Sequence, residues 1–89
     1  MRRMKVFILY RPDSEHDSRV QSFARELKRV TGHDLDLVSL DTPDGADQAR
    51  LYDVTSYPAV IASRDSGELM QVWQDEMLPT ISEVSAYLA

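Results

Sequence analysis

The sequence contains no cysteine. That absence removes disulfide staples, thiolate metal sites, thiol nucleophiles and every dithiol redox mechanism. Basic residues are scarce relative to acids: ten Lys and Arg stand against fifteen Asp and Glu, a formal charge of −5. A chain with that balance repels a phosphate backbone, so no nucleic-acid partner is expected. Long apolar runs are missing too. The basic start Met1-Arg2-Arg3-Met4-Lys5 is followed only by Val6 to Tyr10 before Arg11 interrupts. A membrane span needs about 20 apolar residues and a signal core at least 7, so neither is expected. The expected setting is the cytoplasm, with no membrane partner. No repeat, low-complexity tract or linker divides the 89 residues, and a chain of this length supports one core, so residues 1–89 are read as a single domain. At 43% apolar and 28% charged, it has the composition of a folded soluble protein.

Val6-Phe7-Ile8-Leu9-Tyr10 is apolar on both strand faces, as a buried central strand requires, and Pro12 stops it. From Val20 the period becomes helical, with Val20, Phe23, Ala24, Leu27 and Val30 on one face and Gly32 placed as the stop. Leu35, Leu37, Val38 and Leu40 form a second strand broken by Asp36. Asp41-Thr42-Pro43-Asp44 supplies a cap and an N1 proline for a short helix to about Asp53. Tyr57 to Ala62 reads as a third strand, again apolar on both faces. Arg64-Asp65-Ser66-Gly67-Glu68 has turn composition, giving a hairpin to an edge strand from Leu69 to Gln74. Thr80-x-x-Glu83 is a capping box before Ile81, Val84, Tyr87 and Leu88 at helical spacing.

The element order is therefore β-α-β-α-β-β-α. The first βαβ unit takes a parallel, right-handed crossover and the last two strands an antiparallel hairpin. Strands one and three, apolar on both faces, belong in the middle; strands two and four, with polar breaks, belong at the edges. The expected fold class is α/β, a four-stranded mixed sheet in order 2-1-3-4 with helices on both faces.

This order, together with Tyr52-Asp53-Val54-Thr55-Ser56-Tyr57-Pro58-Ala59-Val60, resembles the thioredoxin/glutaredoxin superfamily over essentially the whole chain. In that family a cis-proline opens the third strand beside the active site, and Pro58 matches its position. Tyr10-Arg11-Pro12-Asp13-Ser14-Glu15-His16-Asp17 resembles the strand, loop and helix start of glutaredoxins, where the motif is Cys-x-x-Cys. Ser14 and Asp17 stand where the two cysteines would be. Asp75-Glu76 resembles an acidic segment near the glutathione site. The resemblance implies a thioredoxin-like domain without thiol exchange, because a serine hydroxyl cannot exchange with a disulfide and Asp17 cannot resolve one.

Within that frame Ser14-x-x-Asp17 reads as a capping box, or alternatively as a remodelled site with Ser14 as nucleophile or ligand-orienting hydroxyl. His16 reads as a solvated residue of the first helical turn, or as a general base oriented by Asp13 or Asp17. Asp13, His16 and Asp17 put two carboxylates and one imidazole on a surface turn, a common coincidence and not an expected metal site, and Asp41-x-x-Asp44-Gly45-x-Asp47 has the wrong spacing for a calcium loop. No metal or cofactor is expected. His33 reads as a loop residue, and Trp73 either as half exposed or as packed under the last helix. Tyr57, before the proline, should lie near the helix start that carries Ser14, in a neighbourhood that accepts extended peptide backbone in the family.

The primary expectation is a non-redox binding module for a protein or peptide, with Ser14, His16, Asp17, Tyr57 and Pro58 forming the groove and no catalytic residue assigned. The alternative is substituted chemistry by Ser14 and His16, or glutathione-type small-molecule binding at the former redox site. A third is a subunit whose edge strand pairs with another chain. The residues alone set no oligomeric state.

Overall fold

The structure, a computed structural model, describes residues 4–64, 66–74 and 78–88. The elements are β1 (Met4–Tyr10), α1 (Asp17–Thr31), β2 (Asp36–Ser39), α2 (Pro43–Leu51), β3 (Ala59–Arg64), β4 (Leu69–Trp73) and α3 (Ile81–Ser85). The four strands form one mixed sheet in the order β2-β1-β3-β4. β1 runs parallel to β2, and β3 antiparallel to both β1 and β4.

The two central strands bury both of their faces, which divides the core into two apolar layers, one on each side of the sheet. Val6, Ile8, Val60 and Ala62 pack with Val20 and Leu27 of α1 and Val84 of α3. Phe7, Leu9, Ala59 and Ile61 point the other way and pack with Ala49 of α2 and Val54. The helices thus lie on both faces of the sheet, α1 and α3 on one and α2 on the other. Trp73 packs under α3, its ring edge-on to Tyr87 with centroids 5.5 Å apart.

Local signals act where the residues require. Gly32 ends α1 at φ 79°, and its N–H donates to the Lys28 carbonyl. Thr42 caps α2, accepting from the Gly45 N–H at 3.1 Å, with Pro43 at the first helical position. Thr80 and Glu83 cap α3 reciprocally. Two boundaries and one burial assignment differ from the sequence reading. β3 begins at Ala59 rather than Tyr57, because Pro58 has no N–H for the ladder. α2 ends at Leu51, two residues early, where Asp53 takes φ 55° and the chain turns away. Val30, assigned to the apolar face of α1, is exposed. At 100° per residue it lies about 70° from the centre of the Val20–Leu27 stripe. Among the described residues, no helix is long and apolar enough to cross a membrane.

Candidate functional site

The carboxyl end of β1 and the amino end of β3 meet because Leu9 pairs with Ala59. That register brings the Arg11–His16 loop and the Tyr57–Pro58 step to the same end of the sheet. The Tyr57–Pro58 peptide is cis, and Pro58 is fully buried. The segment before it is pinned from β4's end: the Thr55 and Ser56 N–H groups both donate to the Gln74 side-chain oxygen, at 3.1 and 3.3 Å. The Tyr57 hydroxyl donates to the Val54 carbonyl at 3.3 Å.

The loop after β1 is organised around the backbone of Arg11. Pro12 and Asp13 occupy the two central positions of a turn, Asp13 with φ 60°. Proline followed by a residue of positive φ suits a type II turn, and Asp is among the side chains that tolerate it. Ser14 closes the turn, its Oγ donating to the Arg11 carbonyl at 2.6 Å. The Arg11 N–H donates to His16 Nε2 at 3.0 Å. Asp17 Oδ2 accepts the Asp13 N–H at 2.8 Å, and Oδ1 accepts from Gln21 Nε2 at 3.3 Å.

These bonds correct the reading of Ser14-x-x-Asp17 as a capping box. The N-cap of α1 is His16, with helical backbone angles and no side-chain cap bond. The turn at Pro12-Asp13 directs the Ser14 hydroxyl back to Arg11, so it donates to a carbonyl instead of accepting a helical N–H. Asp17 does reach backward, but to Asp13. The same bonds leave Ser14 and His16 without the arrangement a nucleophile–base pair needs: the Ser14 proton points at Arg11 O, and the lone pair of His16 Nε2 is taken by Arg11 N–H. Partial burial and the nearby Arg19 charge hold the His16 pKa below its ordinary 6.5, with Asp17 opposing them. The ring is therefore neutral at pH 7, its proton on Nδ1 because Nε2 accepts.

Beside the loop lies an open groove of about 380 Å³ lined by Arg11, Leu40, Ala46, Ala49, Arg50, Asp53, Val54 and Tyr57. Its apolar lining comes from the end of β2, from α2 and from the turn after α2, with Arg11 and Tyr57 contributed by the loops that follow β1 and precede β3. Of the five site residues named from the sequence, Tyr57 lines the groove. Pro58 is buried, and Ser14 and His16 act on Arg11's backbone while Asp17 ties Asp13. Arg11, Leu40, Arg50 and Gln74 carried no site signal in the sequence, because segments far apart along the chain build this corner. Asp41 is 3.9 Å from Arg11, and Asp47 pairs with Arg50. Among the described residues, no group of three His, Asp or Glu is placed to hold a metal ion. Asp75 and Glu76, the pair set beside a glutathione segment, lie outside the described residues, as does Asp65 of the hairpin turn.

No protein-family model matches the sequence, and no curated protein matches it. Solved structures do. A designed protein is 25% identical with a TM-score of 0.62, the match covering 96% of this chain and 72% of the other. A thioredoxin-2 described as a component of malaria parasite protein secretion machinery gives a TM-score of 0.66 at 14% identity, over 96% of this chain and 80% of its own. The oxidised mitochondrial thioredoxin 3 of Saccharomyces cerevisiae gives 0.62 at 18% identity, over 93% and 74%. With the 2-1-3-4 sheet, the proline step at Tyr57–Pro58 and these neighbours, the chain has a thioredoxin-like fold, built without a single cysteine.

Proposed function

We propose that this domain is a non-redox binding module that holds an extended segment of a partner protein or peptide in the Arg11–Tyr57 groove. One observation carries the reading: Arg11 and Tyr57, from different loops, line a single open groove with an apolar lining of Leu40, Ala46, Ala49 and Val54. Apolar surface covered there contributes about 25 cal/mol per Å², and the polar atoms of Arg11, Arg50 and Tyr57 at its margin fix register. Tyr57 precedes Pro58 outside the β3 ladder and has no strand partner among the described residues; in this reading its backbone pairs with the extended segment. In this reading Ser14 and His16 are positioning residues. They fix the loop from which the Arg11 side chain projects.

The experiment is selection of binding peptides from a random displayed library, followed by titration of the best peptide into ¹⁵N-labelled protein. Amide shifts concentrated at Arg11, Val54 and Tyr57, with affinity reduced by Tyr57→Ala, are expected. Shifts clustered on another surface overturn the groove assignment. A parallel titration with reduced glutathione tests small-molecule binding at the same corner, and saturable shifts there would move the reading to that alternative.

A further inference from the structure

β4 is an outer strand, and among the described residues no strand lies beyond it. Proteins normally block such an edge with charge, proline or very short length. The opposite edge, β2, has four residues and starts at the exposed Asp36. β4 and the residue after it read Leu69-Met70-Gln71-Val72-Trp73-Gln74, with no charge, proline or glycine. Leu69 is 42% exposed and Met70 37%. A bulge on β3–β4 leaves Met70 without a partner, since Ala62 pairs with Gln71 and Ser63 with Leu69.

One bond marks the open side. The Val72 N–H donates to the side-chain oxygen of its neighbour Gln71 at 2.9 Å. Ile61 and Val72 are a non-hydrogen-bonded pair of the β3–β4 ladder, so this N–H faces the free edge, where among the described residues it meets a carboxamide that can swing aside. We propose that β4 is the pairing edge for a second copy of this chain, in an antiparallel contact with its two-fold axis at Gln71.

The pattern of the strand favours a copy of itself over a foreign segment. Across an axis at Gln71, Met70 faces Val72 and Leu69 faces Trp73, apolar against apolar. The Val72 N–H then donates to the Met70 carbonyl of the second copy, as directly opposite residues do in alternate antiparallel pairs. An isologous contact needs such self-complementarity. Charge points the same way. Two copies at −5 each repel, so contact requires a stretch where no like charges meet, and β4 is one. Equally, β4 offers no charge to select an acidic or basic peptide. Joining the edges makes one eight-stranded sheet and leaves the Arg11–Tyr57 groove, on α2's side of the domain, free for its own ligand.

The test is sedimentation equilibrium of the full chain from about 10 µM to about 1 mM. Wild type is expected to show a concentration-dependent monomer–dimer equilibrium. Gln71→Lys and Gln71→Glu should each be monomeric, because like charges meet at the axis, and an equimolar mixture of the two should regain the dimer. Circular dichroism establishes that the variants fold. Met70→Lys, at an exposed side chain without a ladder partner, serves if a Gln71 variant does not fold, and should also be monomeric. A wild type that stays monomeric throughout overturns the proposal, as does a folded Gln71→Lys or Met70→Lys that dimerises like wild type.

Discussion

His16 Nε2 accepts the backbone N–H of Arg11 at 3.0 Å, so an imidazole five residues along the chain holds the residue that lines the groove. Protonation of His16 removes this acceptor. Its folded-state pKa lies below 6.5 through burial and Arg19, with a smaller contribution from Arg11, against Asp17 and Glu15. On acidification the unfolded chain therefore binds the proton first. The contribution to stability is present above the unfolded value, declines as pH falls through about 6.5, and levels off below the folded value. The gap in melting temperature between wild type and His16→Ala should narrow between about pH 7.5 and about pH 5.5. A constant gap would remove this account of the ring.

The Ser14 hydroxyl donates, and that separates it from a helix cap. Ser14→Ala should cost about 0.5–1.5 kcal/mol for the lost bond to Arg11 O. Ser14→Thr retains a donor and should stay near wild type. Ser14→Asp brings acceptors only and should be no better than alanine, whereas at an N-cap Asp is among the preferred residues. Urea denaturation of the three variants decides between the roles, with a fully stable Ser14→Asp counting against the donor.

Gly45 packs against the backbone of Ser39, and a Cβ there would stand 1.9 Å from the Ser39 carbonyl oxygen. Because the obstacle is backbone, α2 would have to move off the end of β2. Gly45→Ala should destabilise by about 1–3 kcal/mol or more, even though alanine is the better helix former by about 1 kcal/mol. At Gly32 a Cβ meets open space, and the cost comes from φ 79° alone, about 1–2 kcal/mol. Denaturant midpoints should rank Gly45→Ala as the more damaging, with groove residues Ala46 and Ala49 shifting in its spectrum.

At the start of α3 the Glu83 carboxylate accepts the Thr80 N–H at 3.1 Å, while Thr80 Oγ1 accepts the Glu83 N–H at 3.1 Å. Thr80→Ala should cost about 0.5–2 kcal/mol. The backbone bond from Thr80, joined by those from the Thr80 and Trp73 side chains, holds the Glu83 pKa below its ordinary value. Its contribution is then present above the unfolded value of 4.5 and lost as pH falls through the folded value. Glu83→Gln should lose less stability than wild type when pH is lowered from about 5 to about 3. Parallel acid titrations by circular dichroism read this directly, and identical curves would contradict it.

Thr80-x-x-Glu83 and Ser14-x-x-Asp17 look alike as strings, yet only the first is a capping box. Two local differences explain the divergence. Asp is one methylene shorter than Glu, and Ser14 follows a Pro12-Asp13 turn whose positive φ directs the hydroxyl toward Arg11. The order of the sheet was more legible. Val6 to Tyr10 and Val60 to Ala62 are apolar at every position, and a strand with two apolar faces must lie between neighbours and under helices on both sides. Asp36 and Gln71 marked the edge strands for the converse reason.

The residues alone thus determined that thiol chemistry is impossible, that β1 and β3 are central, and that Gly32, Thr42 and Thr80 bound helices. Those properties depend on side-chain type and on periodicities of two or 3.6 residues, which are written along the chain. The groove was decided only by tertiary structure. Arg11, Leu40, Arg50 and Tyr57 lie on separate segments, and the Leu9–Ala59 register with the seating of Gly45 on Ser39 brings them together. No local pattern carries that information, because contacts between distant segments are selected by the packing of the whole core.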